Sequence, residues 1–123
     1  MGLTVSHGCF NAPYSSFHWW RCAIADAVGI PLEKMEGFCE PEDGDPIAWC
    51  TLQPDVLQIL LRHSDFEGSI VTEDCGPLAA RLEEILPLLS DNPEPTLNAR
   101  IPTRQFIRGL RMAASSQQDV QFW

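Results

Sequence analysis

The stretch PLEKMEGFCEPEDGDPIAW, residues 31 to 49, limits most sharply what this chain can fold into. Gly37, Pro41, Gly44 and Pro46 interrupt any run long enough for a helix. Glu33, Glu36, Glu40, Glu42, Asp43 and Asp45 leave no apolar alternation for a strand. The stretch reads as a long acidic loop, pinned to a core through Phe38, Ile47 and Trp49. Regular structure must therefore gather in short segments on either side of it.

Those segments are mostly helical. In SFHWWRCAIADAVG, the residues Phe17, Trp20, Ala23, Ile24, Ala27 and Val28 recur at helical spacing, and Gly29 with Pro31 supplies a stop. QPDVLQILLRH repeats the pattern with Val56, Leu57, Leu60 and Leu61, and Pro54 suits its first turn. Thr72 is placed to cap a third helix, in which Pro77 is tolerable only in the first turn and Leu78, Leu82, Ile85, Leu86 and Leu89 form the apolar face. Thr103 is placed to cap a fourth, RQFIRGLRMAASS, with Phe106, Ile107, Leu110 and Ala114 inward and Arg100, Arg104, Arg108 and Arg111 outward.

Two short segments alternate like strands, LTVS at residues 3 to 6 and DVQFW at the other end. Pairing them ties both ends of the chain into one sheet, while GCFNAPYSS between strand and helix reads as turn. The fold expected is α+β and mostly helical: about four helices with a small sheet of the terminal strands. Residues 1 to 123 form a single compact domain, and a hydrophobic content of 45% is enough for a core.

Residues 1 to 99 carry 16 acids and four bases, residues 100 to 123 four arginines and one acid, for a net charge of −9. An acidic body repels phosphate backbones, which disfavours general nucleic-acid binding and favours a protein partner with a basic surface. No apolar run approaches the ~20 residues that span a bilayer, so no membrane association is expected. Five cysteines, an odd number without a C-x-x-C pair, and the lack of an export signal fit reduced thiols in the cytoplasm.

One motif resembles a metal loop. With Gly68 at the sixth position of an EF-hand loop, HSDFEGSIVTED puts His63 first, Asp65 third, Glu67 fifth, Ile70 eighth and Asp74 twelfth. Histidine is a poor ligand for hard Ca²⁺, and Asp74 is one methylene shorter than the glutamate that grips calcium with both oxygens. The reading preferred is a metal-free helix-loop-helix turn capped by Ser64 or Asp65. A weakly bound divalent cation on His63, Asp65, Glu67 and Asp74 is the alternative, as Mg²⁺, Ca²⁺ or a transition metal on His63 and Asp65.

Nucleophilic chemistry has one candidate set: Cys9 with His7 beside it in SHGCF, and His18 on the first helix. A Cys-His pair acts when the imidazole lowers the thiol pKa near an oxyanion site. Adjacency in sequence does not supply that geometry, and a buried thiol with a structural histidine is the expected state. Trp19 and Trp20 cannot both face inward from one turn; one is core and the other covers the helix edge or marks a contact surface.

The patches MGLTVSHGC, HSDFEGSI with EDC following, TRQFIRGL and DVQFW resemble a family of small uncharacterised proteins from bacterial and phage genomes with an H-S-D-x-[DE]-G-x-I core. The resemblance implies a single-domain intracellular protein and carries no activity. The leading functional reading is accordingly a small acidic binding or regulatory protein without catalysis. Its contacts are assigned to Trp19, Trp20, Glu36, Glu40, Glu42, Asp43 and Asp45. A divalent-metal domain built on residues 63 to 74 and a small Cys/His hydrolase or thiol enzyme are the alternatives.

Overall fold

The computed structural model describes residues 2–123, the side chain of Asp43 excepted. Strands β1 (Gly2–Val5) and β2 (Phe10–Pro13) form an antiparallel hairpin, followed at once by helix α1 (Tyr14–Ala27). Helix α2 (Leu57–Leu61), strand β3 (Gly68–Ile70), helices α3 (Thr72–Ile85) and α4 (Arg100–Ser115), and strand β4 (Val120–Phe122) complete the chain. This is the mostly helical α+β architecture that the periodicities predict.

The sheet runs in the order β2-β1-β4-β3, antiparallel throughout. The terminal strands pair as expected: Thr4 and Trp123 exchange both backbone hydrogen bonds at 2.9 Å, and the Ser6 N–H donates to Gln121 O at 2.8 Å. Two strands were not legible in the sequence. The turn-rich GCFNAPYSS contains β2, because the chain reverses at Ser6–Cys9 with φ of +61° at His7 and +71° at Gly8, and the Cys9 N–H donates to Ser6 O. Positive φ at both central positions matches the type I′ turn, whose twist suits a hairpin. The loop motif at 63 to 74 contains β3.

Helix α1 buries Phe17, Trp20 and Ile24, and its end is fixed by backbone geometry. The Gly29 N–H donates to Asp26 O and the Ile30 N–H to Ala25 O, with Gly29 at φ +76°. This is the Schellman arrangement, and it requires a residue that tolerates left-handed backbone. The chain then turns back over α1 through a 3₁₀ turn at Leu32–Lys34.

The acidic stretch is more ordered than a plain loop. It holds 3₁₀ turns at Leu32–Lys34 and Pro41–Asp43, and a parallel bridge joins Met35 to Ile47. Met35 and Trp49 are buried, with Phe38 and Ile47 packed partly against the same core. Trp49 anchors the segment by donating its indole N–H to Glu36 O at 3.0 Å and its backbone N–H to Glu36 Oε1 at 3.2 Å.

Helix boundaries shift where a side chain elsewhere supplies the cap. Helix α2 is shorter than expected and Pro54 lies outside it, because Asp55 Oδ1 accepts the Leu57 N–H and sets a later start. Thr72 lies within α3 rather than capping it, and its N–H is accepted by Asp119 Oδ1 from across the structure. Pro77 consequently falls in the second turn, on the exposed side with Glu73, whose carbonyl loses its intrahelical partner where water reaches it. Helix α4 starts at Arg100, whose N–H is accepted by Asn98 Oδ1. Thr103 is fully buried instead of capping. Of the arginines expected outside, Arg100 folds back to donate to Leu89 O and Pro87 O, and Arg111 pairs with Glu83.

The core closes between α1, α3, α4 and the sheet. Its aromatic centre joins Phe10, Phe17, Trp20, Phe106 and Phe122, with Phe10 and Trp20 stacked at 5.9 Å and Phe17 edge-on to Phe122 at 6.1 Å. Edge-to-face and offset pairs at such spacing add to the simple burial of area. Among the described residues no helix is long and apolar enough to cross a membrane.

Candidate functional site

Arg21 is the residue that sequence reasoning missed and that most shapes the surface around the 63 to 74 motif. It is 3% exposed, although it lies on a helix between Trp20 and Cys22. Its Nη1 donates to Leu61 O at 3.2 Å and to His63 O at 2.6 Å, closing the end of α2. Its guanidinium lies 4.4 Å from the Phe17 ring centroid and 5.3 Å from that of Phe38. Burial lowers its pKa from the ordinary value, while the Asp65 carboxylate opposes that shift. Spacing of four from Phe17 was the signal, read over because arginine is rarely buried without a paired carboxylate.

The motif itself is a turn, not a cage. His63 Nδ1 lies 2.8 Å from Ser64 O and Nε2 3.1 Å from Ser69 O, and the ring stacks on Phe122 at 3.8 Å. Both ring nitrogens face carbonyl oxygens, so neither is aimed at a shared ion. Ser64 Oγ accepts the N–H groups of Phe66 and Glu67, as the capped-turn reading expects. The donor atoms of His63, Asp65, Glu67 and Asp74 do not converge; among the described residues the one group that does is His18, Cys22 and Glu33. The EF-hand register fails at its first position, where Ser64 O and Ser69 O occupy both ring nitrogens of His63.

The proposed nucleophile is equally displaced. Cys9 is buried against α4, and burial, with a smaller push from Cys75, raises its thiol to about 12. His7 turns away to Ser6 Oγ and Gln118 Oε1, each at 2.8 Å. His18 lies beside Cys22, not Cys9. The three residues therefore do not form a catalytic set.

The tryptophan pair divides as anticipated: Trp20 is core and Trp19 is 38% exposed. Among the acidic contact candidates, Glu36 is engaged by Trp49, whereas Glu40, Glu42 and Asp45 are exposed. The side chain of Asp43 lies outside the described residues.

Trp19 forms one wall of a cavity of about 360 Å³ between the start of α1 and the chain from Pro95 to Gln105. Phe10, Ala12, Trp20, Pro95, Ile101 and Pro102 supply the remaining apolar lining. Polar groups come from Asn11, Ser15, Ser16, Thr96, Asn98 and Gln105, and no lining residue is charged. Asn98 is held by Asp91 and Asn92 O, and Gln105 by Gly8 O at 3.0 Å, so these two amides of the polar rim are held in place. A concave, largely apolar site with a few oriented polar groups is the usual form of a binding pocket. Chemically it accommodates an uncharged apolar group with hydrogen bonding at its mouth.

Compared with known proteins, the chain matches no family model, no curated protein and no solved structure.

Proposed function

We propose that the protein is a non-catalytic binding protein, and that the cavity beside Trp19 receives one apolar side chain from a protein partner with a basic surface. The single observation carrying this is Trp19 itself, a large aromatic left partly exposed at the wall of an uncharged cavity. Buried-on-binding tryptophans in preformed pockets are frequent energetic anchors of interfaces. The apolar rim continues onto Ile101, which is 47% exposed. A net charge of −9 supports the choice of a basic partner, since complementary charge speeds encounter more than it tightens the complex.

A binding role fits the cysteines better than catalysis does. The thiols with a resolved shift, Cys9, Cys22 and Cys75, are all raised, mainly by burial, which is opposite to what a nucleophile needs. All five cysteines are unpaired, in keeping with a reducing compartment such as the cytoplasm.

The test is a backbone-amide NMR titration with two short peptides, one carrying a leucine between lysines and the other a leucine between glutamates. The lysine peptide is expected to move the resonances of Trp19, Ser16 and Ile101, with an effect that weakens as salt rises and vanishes in Trp19→Ala. Shifts confined to other surfaces, or none at millimolar peptide, would overturn the site. Equal response to the glutamate peptide would overturn the basic partner.

A further inference from the structure

On the outer face of α1, away from the cavity, His18 and Cys22 stand one helical turn apart. The Schellman end of the helix reverses the chain, and the 3₁₀ turn that follows brings Glu33 back beside them. Cys22 Sγ lies 3.5 Å from His18 Nε2 and 3.9 Å from Glu33 Oε1, and His18 Nε2 lies 3.8 Å from the same carboxylate oxygen.

These three separations are those of a coordination triangle. Tetrahedral zinc, with bonds of about 2.0–2.1 Å to nitrogen and oxygen and about 2.3 Å to sulfur, holds its ligand atoms roughly 3.3–3.6 Å apart. Adjustments of a few tenths of an ångström, well within side-chain freedom, convert the triangle into one face of that tetrahedron. A histidine–glutamate ion pair beside an unrelated thiol explains one of the three contacts but not the placement of sulfur against both partners.

Local structure supports the arrangement. The His18 ring stacks on Phe38 at 6.2 Å between centroids and 19° between planes, which limits its rotation. Asp26, one turn beyond Cys22, lines the same hollow as Cys22 and Glu33 and adds negative charge, partly countered by Lys34 at its edge. The donor set also selects the ion. One nitrogen, one sulfur and one carboxylate oxygen suit a borderline-soft cation, whereas Ca²⁺ and Mg²⁺ prefer all-oxygen shells.

We infer that His18, Cys22 and Glu33 form a binding site for a divalent transition-metal ion of the zinc type, held by Nε2, Sγ and a carboxylate oxygen. The fourth tetrahedral position faces solvent and is filled by water or by a group from another molecule. On binding, the Cys22 S–H bond breaks, the electron pair stays on sulfur to form the metal–thiolate bond, and the proton passes to solvent.

The experiment uses the full chain, stripped with chelator and kept reduced, titrated calorimetrically with Zn²⁺ and followed by absorption with Co²⁺. One Zn²⁺ per chain is expected, together with no response to Ca²⁺. Co²⁺ is expected to give a tetrahedral spectrum with a thiolate charge-transfer band. His18→Ala, Cys22→Ser and Glu33→Gln each lower zinc affinity by more than the ~10–100-fold typical of losing an outer-shell partner. Cys50→Ser, which removes an exposed thiol elsewhere, leaves both readouts unchanged. Circular dichroism checks that each variant is folded, and Glu33, largely exposed, can be replaced without disturbing packing, so the test survives loss of another. Unaltered zinc binding by Cys22→Ser, or a Co²⁺ spectrum without the thiolate band, overturns the inference. Loss of binding in Asp65→Ala with retention in Cys22→Ser overturns it in favour of residues 63 to 74.

Discussion

The indole Nε1 of Trp20 donates to Thr103 Oγ1 at 2.8 Å, and the same hydroxyl donates to Ala99 O at 2.7 Å. One hydroxyl thus joins α1 to α4 while using its single proton within its own helix. Both side chains are buried, so neither can turn to water. Thr103→Val keeps the shape but leaves the indole N–H without a partner, at an expected cost of about 1–3 kcal/mol. Trp20→Phe leaves the hydroxyl bonded to Ala99, and its cost comes from lost volume. Urea unfolding of both single variants and the double variant measures the coupling, and strict additivity would mean that the hydrogen bond contributes nothing.

Arg21 poses a question of sign. Placing a guanidinium in the interior is costly, but its bonds to Leu61 O and His63 O satisfy carbonyls at the end of α2 that would otherwise lack donors. Hydrogen bonds to charged groups are worth about 1.5–3 kcal/mol, so Arg21→Met is expected to destabilise by roughly that amount. Hydrogen exchange is expected to quicken first at residues 62 to 67. Unchanged stability in Arg21→Met would mean that desolvation cancels the bonds.

Gly109 reverses the ordinary rule for glycine in a helix. Alanine in an exposed helix interior gains about 1 kcal/mol over glycine. Here an added Cβ meets Cys9 Sγ at contact distance too short to keep, with His7 O at 2.9 Å and Cys9 Cα at 3.0 Å. Two of these atoms belong to the hairpin backbone, which cannot give way like a flexible side chain. Gly109→Ala is expected to destabilise by about 1–3 kcal/mol, the range for overpacking. Cys9→Ala in the same chain is expected to restore only part of it, and a more stable Gly109→Ala variant would disprove the close approach.

Acid sensitivity centres on Asp55. Burial opposes its charge, but hydrogen bonds from Arg81 and from the Leu57 N–H outweigh this and hold the carboxyl below its ordinary value. A depressed folded pKa contributes stability that is present above the unfolded value of about 3.9 and is lost as pH falls through the folded one. The difference in unfolding free energy between the native chain and Asp55→Asn is therefore expected to be full at pH 7 and to shrink below about pH 4. A difference that stays constant down to pH 2 would remove Asp55 from the acid response.

Much of this fold is legible from periodicity. The faces of α1, α3 and α4, the stop at Gly29 and the pairing of the terminal strands all follow local patterns that survive intact in the sequence. What was hidden depends on partners distant in sequence. Thr72 and Thr103 both look like caps, yet Asp119 serves one helix and Asn98 the other, leaving Thr103 for the core. Strands β2 and β3 are as long as the terminal strands, but they lie among the turn-forming residues Asn11, Pro13 and Gly68, whose signal hides so short an alternation. In the candidate sites, the exposure of one tryptophan was readable, but the wall opposite Trp19 comes from residues 95 to 105. The His18–Cys22 spacing was readable too; Glu33 was not, because only the reversal after Gly29 brings it there.

In the sheet, β4 lies between β1 and β3, paired with each. Only the β1–β2 hairpin is local, so β1 and β3 stay apart until β4 has paired with both. That closure spans nearly the whole chain and its entropy must be lost before the contacts repay it. The return of one short strand is thus expected to limit the rate of folding, with the helices forming faster than the sheet.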